Sequence, residues 1–173
     1  MQVVVRTEET ADYAAVFALN VSAFEQQNEA VLVNALRNSD AFIPGLSLVA
    51  TVDNNIAGHI LFSKIIIKSG SGEIFGSLSL APMAVLPELQ NQGIGSMLVR
   101  NGLQKAAELG FESVIVLGHE NYYPRFGFLP AKKWGITAPF DVPDNVFLGI
   151  ELVPNGLTHV SGTVIYPKEF DEV

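Results

Sequence analysis

The chain has 173 residues, with 18 acidic side chains against 10 basic ones, 49% hydrophobic residues and no cysteine. Its length suits one domain with a sizeable core, so we expect a single domain over residues 1–173 that becomes loop-rich from about residue 130. The formal net charge of −8 disfavours nucleic acid as a partner, because nucleic acid is bound through basic surfaces. The missing cysteines exclude disulfides, thiolate metal sites and cysteine nucleophiles.

The apolar stretches are too short to cross a membrane, since a helical span needs about 20 residues. Residues 78–87 are ten in number, and residues 60–67 are interrupted by Lys64. The amino terminus lacks the basic segment and apolar core of a signal peptide. The three histidines are scattered and form no metal-binding pattern. We therefore expect a cytoplasmic protein that contacts no membrane and binds no metal.

Residue periodicity predicts one strand and two helices in the first 40 residues. Residues 2–6 are rich in valine, which favours a strand. The apolar residues that follow recur at helical spacing and predict a helix with one apolar face: Tyr13, Val16, Phe17, Val21 and Phe24. A second helix is predicted over residues 29–37, with these side chains facing inward: Val31, Leu32, Ala35 and Leu36.

The middle of the chain predicts a hairpin followed by a strand–helix–strand unit. Residues 46–52 and 56–67 form the hairpin around Asp53-Asn54-Asn55, because Asp and Asn tolerate the positive φ of a tight turn. A strand over 74–85, a helix to about residue 109 and a continuously apolar strand over 113–117 come next. Closing strands are predicted at 146–152 and 160–166. The sheet is therefore expected to be mixed.

The turn Gln90-Asn91-Gln92-Gly93-Ile94-Gly95 opens the helix of this unit. A helix start offers unpaired backbone N–H groups and a positive dipole end, and glycines let an anion approach them. The turn is thus a candidate phosphate site, although two glycines here also suit a packing or turn role. The chain lacks Gly-Lys-Ser/Thr, and Leu98 stands where a dinucleotide fingerprint needs its third glycine, so both of those nucleotide motifs are disfavoured.

Residues 81–98 and 118–128 resemble the two sequence motifs of GNAT superfamily N-acetyltransferases. The first motif, Arg/Gln-x-x-Gly-x-Gly/Ala, is matched by residues 90–95, and the second, a Tyr four residues before Gly-Phe, by Tyr123. The form Tyr-Tyr-x-Arg-Phe-Gly-Phe at 122–128 and residues 161–167 are similar to the YhbS-like branch. The resemblance implies an α/β GNAT fold with a mixed, mostly antiparallel central sheet, helices on both faces and a splayed pair of parallel strands.

The resemblance also implies acetyl-coenzyme A as the acyl donor. Backbone groups of Met83, Ala84 and Val85 would pair with the pantetheine arm as an added strand. Backbone N–H groups of the turn would hold the pyrophosphate, namely those of Gln90, Asn91, Gln92, Gly93, Ile94, Gly95 and Ser96. Asn121 stands near a position where related proteins carry an asparagine that contacts the cofactor.

The resemblance implies that a primary amine attacks the acetyl group directly in a ternary complex. Tyr123 matches the family's general acid, and a phenol with a pKa of about 10 suits protonation of a departing thiolate. The candidates for the base are His119 and the adjacent Glu120, with Glu29 or a water chain as alternatives. Each of these side chains also has a structural interpretation, as a packing, surface or ion-pairing residue.

The acceptor is expected to be a small-molecule or peptide amine. An exposed apolar patch would also support a homodimer. Because the motifs do not determine the base, a catalytically weak acyl-coenzyme A-binding or sensor module of the same fold is the alternative function.

Overall fold

A nine-stranded mixed sheet forms the centre of the protein over residues 1–172, which the computed structural model describes. The last residue of the predicted domain, Val173, lies outside the described residues. The strand order is β1-β2-β3-β4-β5-β8-β6, and β9 pairs with both β3 and β7. The strands are β1 (Val3–Thr7), β2 (Phe42–Val52), β3 (Asn55–Lys68), β4 (Ile74–Val85), β5 (Ser113–Leu117), β6 (Leu129–Pro130), β7 (Ile136–Thr137), β8 (Phe147–Glu151) and β9 (Gly162–Ile165).

The predicted mixed sheet is confirmed. β4 pairs with β5 in parallel, β7 pairs with β9 in parallel, and the remaining pairs are antiparallel. The hairpin between β2 and β3 turns at Asp53 and Asn54, whose φ angles of 50° and 70° are those that Asp and Asn tolerate. The two-residue strands β6 and β7 were not predicted, since segments this short carry no periodicity.

Three α-helices cover the two faces of the sheet: α1 (Tyr13–Phe24), α2 (Asn28–Arg37) and α3 (Ile94–Glu108). Leu61 of β3 packs against α1 and α2, whereas its neighbours Ile60 and Phe62 belong to the core under α3. This alternation is the side-chain period of a strand that is covered on both faces. Within residues 1–172, no α-helix has the length and apolar character that a membrane crossing requires.

The predicted inward faces of α1 and α2 are partly wrong. Tyr13 and Phe24 are exposed by 37% and 36%, and Val31 by 41%. Helix α1 is apolar around most of its circumference, so periodicity alone does not select the face that packs on α2 and β3. Val16, Leu32 and Leu36 are buried as predicted, and the other buried side chains of the two helices were not predicted: Leu19, Asn20, Ala30 and Val33.

Helix α3 lies close to the sheet because a glycine stands at the contact. A Cβ added at Gly102 would overlap the ring of Phe62 in β3. At the other end of the helix, Leu98 and Ile94 leave little room for a Cβ at Gly58, the nearest atoms being 2.9 and 3.2 Å away. This packing brings the amino terminus of α3 beside the end of β4.

Strands β4 and β5 are paired at one end and diverge at the other. Their ladder has one pair, Ser79 with Ile115, although β4 continues to Val85. On the paired side, the buried hydroxyls of Ser77 and Ser113 lie 2.7 Å apart and link the two strands. The splayed parallel pair implied by the family resemblance is therefore present, with an opening beyond Ser79.

A buried polar network joins α2 to the sheet under the loop that follows β1. The Glu8 carboxylate accepts hydrogen bonds from Arg37 Nη2 at 2.6 Å, Arg37 Nε at 3.1 Å and Ser47 Oγ at 2.8 Å. His59 Nε2 lies 2.9 Å from the same Ser47 hydroxyl. The Glu8 and Arg37 side chains are only 1% and 6% exposed. His59 is thus a buried histidine within the sheet.

We expect the protein to lose stability in mild acid because of His59. Burial lowers the pKa of this histidine from 6.5 to about 4, so it is neutral in the folded protein at pH 7. Between pH 6.5 and about pH 4, His59 binds a proton in the unfolded chain but not in the folded one. The free energy of unfolding therefore falls as the pH is lowered through this range. The full shift corresponds to about 3 kcal/mol. Urea unfolding between pH 7 and pH 4 measures this loss.

The matched control for this measurement is His59→Gln, whose amide retains a hydrogen-bond donor for Ser47. This variant should show a shallower fall in unfolding free energy between pH 6.5 and pH 4 than the wild type. The same pH dependence in both proteins would contradict the assignment.

Candidate active site

The divergence of β4 and β5 opens a cleft of about 640 Å³ at their carboxyl ends. Its wall is built by the end of β4, the turn before α3, the first turn of α3 and the segment after β5. The predicted cofactor residues that line it are Met83, Ala84, Val85, Gln90, Asn91, Gly93, Gly95 and Ser96. Gln92, Ile94 and Asn121 lie outside this wall; the side chain of Ile94 is buried in the core.

The edge of β4 that faces the cleft has unpaired backbone groups. Met83, Ala84 and Val85 pair with β3 on one side, whereas β5 has already diverged on the other. A bulge occurs just before them, since Ile60 pairs with Met83 but Phe62 pairs with Leu80. Bulges often redirect the backbone next to functional sites. This edge can accept an extended chain as an added strand.

The turn before α3 presents backbone donors to the same cleft. Gly93 caps the helix with a φ of 88°, a conformation that L side chains rarely adopt. The first intrahelical bond runs from Met97 N–H to Gly93 C=O, so the N–H groups of residues 94–96 have no acceptor within the helix. Together with the helix dipole, these donors suit a phosphate.

Two side chains next to these backbone donors contribute a hydrogen bond and a positive charge. Gln90 donates from Nε2 to the carbonyl of Val85 at 3.0 Å, so its side chain links the turn to β4. The exposed Arg125 lines the cleft, with its guanidinium carbon 4.5 Å from the ring centroid of Tyr122. Arg125 therefore brings a positive charge to the wall where the helix dipole already favours an anion. The Tyr-Tyr-x-Arg motif was the sequence signal for its position.

Tyr123 lies at the inner end of the cleft and is 8% exposed. It begins a 3-10 helix (Tyr123–Phe126) that follows β5, and its ring makes edge contacts with Tyr122 and Phe128 at 5.1 and 5.6 Å between centroids. Burial raises the pKa of the Tyr123 phenol well above its usual value of 10. The hydroxyl therefore stays protonated at neutral pH and can act as a proton donor.

The two adjacent candidates for the base, His119 and Glu120, differ in their position relative to the cleft. His119 is exposed and lines the cleft, and its Nδ1 accepts a hydrogen bond from the Asn121 N–H at 3.1 Å. Glu120 is exposed, accepts a hydrogen bond from Asn145 and lies outside the cleft wall. Tyr123 and His119 are thus brought together, whereas Glu120 is not. Within residues 1–172, no group of three or more His, Cys, Asp or Glu side chains is arranged for a metal ion.

A second cavity of about 760 Å³ adjoins the cleft. Phe24, Met83 and Tyr123 line both spaces, so they form the boundary between them. Of the candidate bases from the sequence, Glu29 lines this cavity. The other walls come from segments far apart in the chain and carry no shared local pattern: Leu32, Pro139, Phe140, Tyr166, Phe170 and Asp171.

Comparison with known proteins supports a relationship across the whole fold. A model of the acetyltransferase (GNAT) family matches residues 13–128. The uncharacterized N-acetyltransferase YjhQ of Escherichia coli K12 is 39% identical over 137 residues, which cover 78% of this chain and 74% of that protein. The uncharacterized N-acetyltransferase YhbS of the same strain is 33% identical over 168 residues, covering 96% and 98%.

Two solved structures share this architecture. The crystal structure of YhbS from Escherichia coli in complex with CoA has a TM-score of 0.89 and 30% identity, covering 99% of this chain and 93% of that one. A GNAT family acetyltransferase from Brucella melitensis in complex with acetyl-CoA has a TM-score of 0.80 and 32% identity, covering 98% and 99%. The matching family model, the relatives and the shared fold agree: this chain belongs to the GNAT family of acetyltransferases.

Proposed function

We propose that this acetyltransferase moves an acetyl group from acetyl-coenzyme A to a primary amine by direct attack in a ternary complex. One observation carries the proposal: Tyr123, a buried and protonated phenol, lines both the cleft and the adjoining cavity. A donor in the cleft and an acceptor in the cavity would meet at this hydroxyl. The related YhbS and Brucella melitensis proteins are described in complex with CoA and acetyl-CoA.

The cleft has the chemical groups that acetyl-coenzyme A requires. The free edge of β4 at Met83, Ala84 and Val85 offers amide partners to the pantetheine arm. The N–H groups of residues 94–96 offer donors to the pyrophosphate, and Arg125 adds a positive charge. The missing side chain at Gly95 keeps the floor open, since a Cβ there would lie 3.0 Å from the Tyr122 hydroxyl oxygen.

The proposed reaction forms one C–N bond and breaks one C–S bond. The thioester supplies an activated acyl carbon, which the amine nitrogen of the acceptor attacks. Tyr123 donates its phenolic proton to the departing sulfur, and the positively charged nitrogen of the tetrahedral intermediate loses a proton to a base or to water. The Tyr123 phenolate then regains a proton from solvent, so the product is a neutral amide. Of the predicted bases, His119 lies on the cleft side of Tyr123 and Glu29 on the cavity side, whereas Glu120 lines neither space.

Two measurements test the proposal. Calorimetric titration with acetyl-coenzyme A should show saturable binding, and a panel of primary amines should give thiol release with an acetylated product detected by mass spectrometry. Absence of binding at millimolar acetyl-coenzyme A would overturn the proposal. Tight binding without thiol release from any amine would favour the sensor module instead.

Replacing Gly118 with alanine should lower kcat by about tenfold, because the added Cβ would overlap the ring of Tyr123 and displace its hydroxyl. Steady-state thiol release measures the effect. Gly76→Ala is the matched control, since a Cβ there meets no atom within 4 Å.

A double variant separates displacement of Tyr123 from general damage to the fold. In a Tyr123→Phe background, Gly118→Ala should lower kcat little further, because the hydroxyl is already absent. Full additivity of the two losses would show that Gly118 acts through something other than the position of Tyr123.

A further inference from the structure

The second cavity has an aromatic wall. Phe140 and Tyr166 are stacked with their ring centroids 6.3 Å apart and their planes at 17°, and Tyr166 contacts Phe170 at 5.0 Å. Phe24 adds a fourth ring at the boundary with the cleft. Phe140 remains 45% exposed although it lines the cavity. A concave surface of this kind favours a ligand with an apolar or aromatic body.

The same cavity carries negative but no positive side chains. Glu29 and Asp171 line it, whereas no Lys, Arg or His does so within residues 1–172. Neither carboxylate belongs to a salt bridge in that part of the chain. Burial raises the pKa of Tyr166 to about 12, so this phenol adds no charge at neutral pH. The resulting potential attracts an ammonium group and repels a carboxylate or phosphate.

Glu29 places one of these negative charges in the cavity that Tyr123 borders. Glu29 follows Phe24 by five residues, and Phe24 lines both the cavity and the cleft. Both carboxylate oxygens of Glu29 accept from Gln26 Nε2, at 2.9 and 3.1 Å, which orients the group. Glu29 and Tyr123 line the same cavity, so an ammonium attracted by Glu29 is held in the space that the Tyr123 side chain borders.

We propose that the acceptor is a small arylalkylamine, a primary amine carried on an aromatic ring and bearing no anionic group. This inference rests on the proposed acetyl transfer and specifies its substrate class. The ring packs against Phe140 and Tyr166, and the ammonium is drawn by Glu29 and Asp171 toward Tyr123. A cavity of about 760 Å³ has room for one such molecule.

The experiment compares amines that differ in one property at a time. 2-Phenylethylamine and tryptamine carry the ring without an anion, phenylalanine and tryptophan add a carboxylate, and putrescine and spermidine carry charge without a ring. With acetyl-coenzyme A saturating, kcat/KM for the two arylalkylamines should exceed that for the other four by about tenfold or more. Calorimetric binding of 2-phenylethylamine to the complex with coenzyme A gives a readout that needs no turnover.

Two variants test the residues that carry the inference. Asp171→Asn should raise KM for 2-phenylethylamine and reduce its preference over phenylalanine by about fivefold, since a repulsive charge is removed. Phe140→Ala should raise KM for the arylalkylamines but leave KM for putrescine unchanged. Glu73→Gln, an exposed carboxylate outside the cavity, is the matched control and should behave as wild type.

The outcomes distinguish this inference from the function on which it rests. Equal rates for the arylalkylamines and their amino acids, a preference for the polyamines, or an unchanged preference in Asp171→Asn would each overturn the inference and leave acetyl transfer intact. Absence of thiol release from every amine in the panel would overturn acetyl transfer itself.

Discussion

Tyr123→Phe is expected to lower kcat for acetyl transfer by about tenfold or more while the dissociation constant for acetyl-coenzyme A stays close to that of the wild type. The substitution removes the hydroxyl that serves as proton donor in the proposed reaction but retains the ring that packs against Tyr122 and Phe128. Loss of a group used only in the transition state lowers kcat without weakening binding. Steady-state thiol release and calorimetric titration measure the two quantities.

Tyr122→Phe is the matched control for this prediction. Tyr122 lines the same cleft, but its hydroxyl makes only a 3.4 Å contact with Ser96 Oγ, so its removal should change kcat little.

The pH dependence of kcat gives a second check on the role of Tyr123. Because burial raises the pKa of Tyr123, its ionisation should not lower kcat between pH 7 and pH 9. Equal turnover in wild type and Tyr123→Phe would exclude Tyr123 as the acid.

The fold and the glycine turn before α3 were predictable because their signals are local. The turn at 90–95 combines a glycine pair with a helix start, and both features are visible within six residues. The donors that the turn leaves unpaired are backbone N–H groups rather than side chains, so the structure adds mainly the positions of Gln90 and Arg125. The buried strand at 113–117 was visible for the same reason, as a continuous apolar run.

The second cavity was not predictable because its walls are distant in sequence. Phe140 follows β7, and Phe170 and Asp171 lie in the 3-10 helix Lys168–Glu172 near the end of the chain. Only the sheet topology brings these residues to the open side of β4. Phe24 shows a related failure, since helical periodicity assigns an apolar residue to the core when it lies instead at a cavity wall. A pattern of apolar residues does not distinguish burial by the protein from burial by a ligand.

Arg37→Met is expected to lower the free energy of unfolding by about 3–5 kcal/mol, because it leaves the Glu8 carboxylate buried without its charge partner. Arg37 donates two hydrogen bonds to Glu8, at 2.6 and 3.1 Å, and its guanidinium carbon lies 3.9 Å from the ring centroid of Tyr13. Methionine retains much of the arginine side-chain volume, so the decrease in unfolding free energy comes mainly from the lost positive charge. Urea unfolding at pH 7 measures it.

Lys132→Met is the matched control, since the Lys132–Asp144 salt bridge has side chains that are 65% and 66% exposed. Its loss should cost less than about 1 kcal/mol, because both groups remain hydrated. The double variant Glu8→Gln/Arg37→Met should regain part of the stability lost in Arg37→Met, since the unpaired charge is removed. An equal cost for the two single variants, or no recovery in the double variant, would show that the Glu8–Arg37 pair does not hold α2 to the sheet through buried charge.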